Sequence, residues 1–236
     1  PLRLGIAGLG TVGIGTLRII QKHAALLALR AGRPIVVTAV SARDRRKNRD
    51  LDLSAYGWED DARALARRPD VDLFVELIGG DEGIAHEAVT EALRAGKDVV
   101  TANKALLAIH GRELAEMAEA SGAVLRFEAA VAGGIPVIKA MTESLAANRI
   151  RRVMGVMNGT CNYILTRMES AGLPYPTVFE EARQLGYLEA DPTLDVGGID
   201  ASHKLALLAA IAFGTAPRFD AVEIEGIERV SIDDIR

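Results

Sequence analysis

The chain has 236 residues, 49% apolar and 25% charged, with a formal net charge of −4. That length allows one large or two modest domains, and the weak acidity gives no electrostatic case for nucleic acid, which would want a basic face. The single cysteine excludes an intrachain disulfide framework and suits a reducing compartment, and no uncharged apolar run reaches the roughly 18 residues of a membrane span. A cytoplasmic protein bound to neither nucleic acid nor membrane is expected.

Residues 2–7 read as a buried strand rather than a signal peptide, and 12–29 as the helix after it. Residues 35–41 form a second strand rich in β-branched side chains. A third strand is predicted at 72–78, then a helix at 84–95 closed by Gly96. A fourth strand follows at 98–101, a helix at 104–120 with Gly122 as its stop, and a fifth strand at 123–128. Strands alternating with helices predict a parallel sheet with both faces covered.

After Gly133-Gly134 the character changes. A helix is predicted at 135–147, a strand at 150–157, and helices at 161–170 and 177–185, separated by Gly172, Pro174 and Pro176. A polar stretch at 186–198 leads into an apolar helix at 199–213, and 219–230 alternates like a strand. The fold class is therefore α/β: a sheet domain at 1–132, followed by a smaller, partial α+β catalytic domain at 133–236.

Gly8-Leu9-Gly10-Thr11-Val12-Gly13 lies where the first strand turns into the first helix, the setting of a Rossmann-type dinucleotide site. There the first glycine permits the turn, the second admits a pyrophosphate, and the third lets helix and strand pack closely. The helix N-terminus offers N–H groups and partial positive charge to the phosphates. Gly8, Gly10, Thr11, Val12 and Gly13 are thus candidate cofactor contacts. The second strand ends Val40-Ser41-Ala42-Arg43. Arg43 and the cations after it favour NADP, whose 2′-phosphate needs a cation. Asp44 could instead serve the ribose of NAD, and a solvated charged loop is the bland alternative. Gly79, Thr101 and Lys104 sit at the carboxyl ends of strands, where open sheets bind ligands. Lys104 also begins a helix against the dipole, which makes it a candidate for a task, with a surface lysine as the alternative.

The segment 186–204 carries the second cluster. Asp200 and Lys204, four apart, share a helix face on a helix otherwise apolar nearly all round. Burial favours a neutral amine and the carboxylate a charged one, a balance suited to a general acid; a purely structural ion pair is the alternative. Glu189 and Asp195, in the preceding loop, can bind an ammonium group or the lysine. An acidic loop holding calcium is the structural reading, but its spacing does not match an EF-hand. His203 points about 100° away from Lys204 and is expected to pack or cap. His23, His86 and His110 lie on separate helices with no second ligand at metal spacing and read as surface or core residues.

The strings at 8–13, 76–80 (Glu-Leu-Ile-Gly-Gly), 101–104 (Thr-Ala-Asn-Lys), 128–136 (Glu-Ala-Ala-Val-Ala-Gly-Gly-Ile-Pro), 158–165 (Asn-Gly-Thr-Cys-Asn-Tyr-Ile-Leu) and 186–204 together resemble the homoserine dehydrogenases, in the family's order and over most of the chain. The resemblance implies NAD(P)H-dependent reduction of L-aspartate 4-semialdehyde to L-homoserine, in threonine, methionine and isoleucine biosynthesis. It implies Lys204 as proton donor and acceptor beside Asp200. Glu189 would hold the substrate amino group with Asp195 in support, Lys104 would approach substrate and cofactor, and Gly186 would contact the cofactor. It also implies a monovalent cation, sodium, held by Glu128, Val131, Gly133 and Ile135, and a homodimer in the complete protein. Homoserine dehydrogenases continue beyond this point with more substrate sheet, a glycine-rich segment and a returning helix, so the chain is expected to be partial.

Two rivals stand beside this reading. A phosphorylating semialdehyde dehydrogenase would need Cys161 as a thiolate nucleophile at a helix start. A nucleotide-sensing or scaffold protein would keep the Rossmann domain and lose the chemistry.

Overall fold

The computed structural model describes residues 1–188 and 191–235. Two compact units divide it, Pro1–Lys139 and Ala140–Arg236, a little beyond the expected break at 132/133.

The first unit is built on six parallel strands in the order β3-β2-β1-β4-β5-β6. In chain order its elements are β1 (Leu2–Ala7), α1 (Thr11–Lys22), α2 (Ala24–Ala31), β2 (Ile35–Ser41), β3 (Gly57–Glu59), α3 (Ala62–Arg67), β4 (Leu73–Glu76), α4 (Ile84–Arg94), β5 (Asp98–Thr101), α5 (Lys104–Ser121), β6 (Leu125–Arg126), α6 (Glu128–Val131) and α7 (Val137–Lys139). The strands are apolar on both faces because both are covered, and Ile6, Val40, Phe74 and Val99 are shut off from solvent. The helices are amphipathic: α4 buries Ala85, Ala88, Val89, Ala92 and Leu93, the spacing of one helical face. Leu4, Ile6, Leu9, Ile14, Leu17, Val40 and Val75 form the core beneath the first turn. Full burial of a side chain such as Leu17 contributes about 1.5–3 kcal/mol.

The chain reverses its direction of travel across the sheet between β1 and β4, opening a crevice at the strands' carboxyl ends. The expected 12–29 helix divides at His23, where α1 and α2 meet at 81°. Edge strand β3 escapes sequence patterning because it has only three residues. Strand β4 ends at Glu76, short of the predicted Ile78, because the Glu76 carboxylate itself takes the Ile78 and Gly79 N–H groups and draws the chain out of the ladder.

The second unit comprises a π turn (Ala140–Ser144), α8 (Gly159–Ala171), α9 (Tyr175–Gln184), α10 (Thr193–Val196), α11 (Ile199–Phe213), a 3₁₀ turn (Phe219–Ala221) and α12 (Ile232–Ile235). Ile164, Met168, Val178, Ala182 and Val196 make its core. Among its described residues no strand forms at 150–157 or 219–230. Alternation supplies an apolar face, but a strand also needs a backbone partner, and Met154 and Val156 stand exposed. Among the described residues no single helix is long and apolar enough to cross a membrane.

Candidate functional site

The first site begins where β1 runs into α1. Gly8 N–H donates to Ser41 O (2.9 Å) and Leu77 N–H to Ala7 O (2.7 Å), tying the ends of β1, β2 and β4 together. A Cβ on Gly8 would lie 2.3 Å from Leu77 O, and one on Gly13 would lie 1.9 Å from Gly8 O; both glycines are required by close packing. Gly10 differs, with nothing within 4 Å of its would-be Cβ. The open side of the turn is therefore its middle, where a phosphate could approach the backbone. The first bond of α1 runs from Ile14 N–H to Gly10 O, so the N–H groups of Thr11, Val12 and Gly13 lie ahead of the helical ladder, where anions bind.

A cleft of about 500 Å³ lined by Gly8, Gly10, Ser41, Arg43, Lys47 and Ile78, among others, opens over this turn. That volume is in the usual range for a small-molecule site. Its charged lining is Arg43, Lys47 and Arg49 with Asp44 and Asp60, three cations to two carboxylates. Asp44 turns its carboxylate onto the Arg46 N–H (2.8 Å), closing a local turn. The Arg49 guanidinium donates to Leu9 O (3.2 Å), Lys47 O (2.8 Å) and Asp44 O (2.6 Å), pinning the loop to the glycine turn. Arg45 and Arg49 both lie over the Trp58 ring, at 5.6 and 5.7 Å.

Beside the cleft lies a buried polar network that sequence reasoning missed. Glu76 is wholly buried; it accepts from Thr101 Oγ1 (2.5 Å), Ile78 N–H (2.7 Å) and Gly79 N–H (3.0 Å). Asn103 donates its backbone N–H to Thr101 Oγ1 (2.9 Å) and its amide to Gly80 O (2.6 Å), and caps α5 by accepting from Leu106 N–H (3.1 Å). A carboxylate at this depth is tolerated only when donors surround it. The network fixes the Gly79-Gly80 loop and sets half-buried Lys104 at the first position of α5. The Thr101 hydroxyl is spent inward, so its side chain serves the loop.

The second site lies in the second unit, at the start of α11. Lys204 Nζ donates to Asp200 Oδ2 (2.6 Å) and Met157 O (2.8 Å), and the two side chains are 20% and 9% exposed. Asn158 is the hub. Its amide donates to Asp195 Oδ1 (2.8 Å) and Asp200 Oδ2 (3.0 Å), while its oxygen accepts from Cys161 N–H (2.8 Å) and caps α8. Asp195, Asp200 and Lys204, singled out in the sequence, are thus joined through a residue that was not. The only signal was its place in the Asn-Gly-Thr-Cys string before a helix.

Two family models match the chain: "Homoserine dehydrogenase, NAD binding domain" over residues 8–128 and "Homoserine dehydrogenase" over 136–236. The chain belongs to the homoserine dehydrogenase family. It is 50% identical to the homoserine dehydrogenase of Pseudomonas aeruginosa, over 100% of this chain and 54% of that protein. The crystal structure of the Thiobacillus denitrificans homoserine dehydrogenase superposes with a TM-score of 0.94 at 46% identity, covering 99% of this chain and 54% of that one. A hyperthermophilic archaeal homoserine dehydrogenase in complex with NADPH gives 0.85 at 28% identity, over 100% and 76%. The chain spans about half the length of the curated relatives it matches.

The other positions expected for a homoserine dehydrogenase can be located within each unit. Glu128 opens α6 and accepts from Ile138 and Lys139 N–H (both 2.9 Å), so its carboxylate holds the start of the next turn. Val131 ends α6, with Gly133 and Ile135 in the turn after it. Gly186, at φ +74°, follows α9: its N–H donates to Arg183 O and that of Tyr187 to Ala182 O, a Schellman closure. Thr160 Oγ1 donates to Tyr187 O (3.0 Å), anchoring the loop that leads to Glu189, which lies outside the described residues. Burial first, then the charges of Asp195 and Asp200, pushes the Cys161 thiol up to about 11. Its Sγ contacts Asp195 O (3.2 Å), so at neutral pH it is a protonated thiol, contrary to the needs of a thiolate nucleophile. His203 packs its ring on Phe219 at 4.5 Å, as a packing role requires.

Proposed function

We propose that the natural full-length protein interconverts L-aspartate 4-semialdehyde and L-homoserine, and thereby serves threonine, methionine and isoleucine biosynthesis. The observation that carries this reading is the Lys204 ammonium gripped by Asp200 and Met157 O. Among the described residues two of its three N–H groups have acceptors, and the third direction is assigned to a substrate oxygen. In reduction Lys204 gives a proton to the substrate oxygen as it gains negative charge, and in oxidation it takes the proton back. Asp200, itself steadied by Asn158, keeps the ammonium in place. Asp195 supports the same cluster, and Glu189 is assigned to the substrate ammonium on the family resemblance.

The nicotinamide dinucleotide, when bound, supplies or accepts the hydride. The open space at Gly10 and the N-terminus of α1 fit its pyrophosphate, with Gly8, Thr11, Val12 and Gly13 forming the turn. Ser41 at the end of β2, with Arg43 and Lys47 lining the cleft, supports NADP over NAD, because an acidic residue would repel a 2′-phosphate and a cation attracts it. Gly79, Lys104 and Gly186 complete the proposed cofactor contacts, Thr101 acting through its backbone and the Glu76 network. Glu128 with the carbonyls of Val131, Gly133 and Ile135 offers hard oxygen donors that suit a sodium ion. A cytoplasmic homodimer completes the reading.

The test is homoserine-dependent reduction of NADP and of NAD by the full-length protein, followed at the nicotinamide absorbance. Turnover with both, with a lower KM for NADP that Arg43→Ala raises while leaving the NAD value alone, is expected. No turnover with homoserine and either nucleotide would overturn the proposal.

A further inference from the structure

His86 and His110 stand 24 residues apart in sequence, on α4 and α5, and read as unrelated. Folding corrects that reading, because α4 and α5 pack side by side and bring the rings together. Their rings stack with centroids 4.2 Å apart and planes at 21°. Glu82, in the loop before α4, reaches the same point: Oε1 lies 3.2 Å from His110 Nε2. One ligand atom from each of Glu82, His86 and His110 falls within 4.8 Å of the others. None of the three has a part in the proposed reaction.

Three further observations separate this cluster from an incidental one. His86 Nε2 is buried and has no hydrogen-bond partner, an arrangement that costs about 1–3 kcal/mol if left unmet. Glu113 Oε2 lies 3.7 Å from that nitrogen and 3.8 Å from His110 Nδ1, on the side of the His110 ring opposite Glu82. A metal held on the Glu82 side by His110 Nε2 would therefore leave His110 Nδ1–H pointing at Glu113, the carboxylate–histidine–metal relay that orients ligating imidazoles. A cavity of about 630 Å³ lined by His86, Thr90 and Glu113, among others, opens on the Glu113 side of the pair, so solvent reaches the outer partner, while exposed Glu82 leaves the ligand side open to water.

We propose that Glu82, His86 and His110 form a binding site for a divalent transition-metal ion of the zinc class, with Glu113 as the outer partner of His110. Two imidazoles and one carboxylate match zinc, cobalt and nickel rather than magnesium or calcium, which take oxygen ligands alone. Bound there, the ion ties α4 to α5 and fastens the loop that begins at Gly79-Gly80, on the rim of the nucleotide cleft. The site is independent of the reaction proposed above.

Equilibrium dialysis of the full-length protein against zinc chloride tests the inference, with cobalt(II) as an optical probe. One zinc per chain is expected at the site, with visible cobalt ligand-field absorption. His86→Ala and His110→Ala should each weaken zinc binding by about tenfold or more and lose the cobalt band. Because Glu82 is exposed, Glu82→Gln provides a variant whose folding is not in question; it should weaken binding as well. Zinc binding equal to the parent's in Glu82→Gln and both histidine variants would overturn the proposal, as would no binding to the parent at about 100 µM zinc, well above the affinities of protein zinc sites.

Discussion

Asn158 should be the most sensitive residue outside the reacting groups, and its two functions can be separated. Its oxygen caps α8, worth about 1 kcal/mol. Its amide gives a hydrogen bond to each of two carboxylates, and a bond to a charged group contributes about 1.5–3 kcal/mol. Both acceptors are held at short range, 2.8 and 3.0 Å, and Asp200 is nearly out of solvent. Asn158→Ser keeps a capping oxygen but replaces the two amide N–H donors with one shorter hydroxyl, which cannot serve both carboxylates. Asn158→Asp keeps the cap as well, but sets a third carboxylate against Asp195 and Asp200. Thermal unfolding and homoserine-dependent turnover of the full-length protein should therefore rank parent above Ser and Ser above Asp. Displacing Asp200, and with it Lys204, by the energy of one such bond should lower kcat by about ten- to a hundredfold. If Asn158→Asp melted and turned over like the parent, Asn158 would be an ordinary helix cap and the clamp assigned to it would be wrong.

Other outcomes follow from the same geometry. Gly13→Ala would set a methyl 1.9 Å from Gly8 O; the overpacking should cost about 1–3 kcal/mol or more and reduce nucleotide affinity, read by fluorescence of bound reduced cofactor, and unchanged affinity would contradict the packing argument. Cys161→Ala should keep turnover within a few fold, since its thiol is protonated at neutral pH; abolished turnover would revive the thiolate mechanism. Arg3, hydrogen-bonded to Asp72 and then attracting it as a charge, holds that carboxyl down to about 2. Since the folded value is depressed, the pair's stabilisation is present above about pH 4 and lost as pH falls toward 2. The pair is partly exposed, so solvent screens it and the effect is small. Acid unfolding of Asp72→Asn should lack that component, and a curve superimposable on the parent's would remove the pair from acid stability.

The sheet was legible because its strands are apolar runs bounded by glycines and its helices carry one apolar face. What escaped was set by partners far away in sequence. Strand β3 exists because β2 offers an edge, and β4 stops early because Glu76 captures the next two N–H groups. The segments at 150–157 and 219–230 alternate like strands yet have no ladder. At the sites, residue type and spacing pointed to Gly8, Gly10, Gly13, Asp200 and Lys204. Asn158, Glu76 and the His86–His110 pair could not be weighed, since an amide or a lone histidine acquires meaning only from what folding brings beside it.

The measurement that bears most directly on the central claim is homoserine-dependent reduction of NADP by full-length protein carrying Lys204→Ala, with nucleotide binding measured on the same sample. The account predicts that turnover falls by orders of magnitude while NADPH still binds, because the proton donor is lost and the glycine turn is untouched. Turnover near the parent's would take Lys204 out of the reaction and contradict the mechanism.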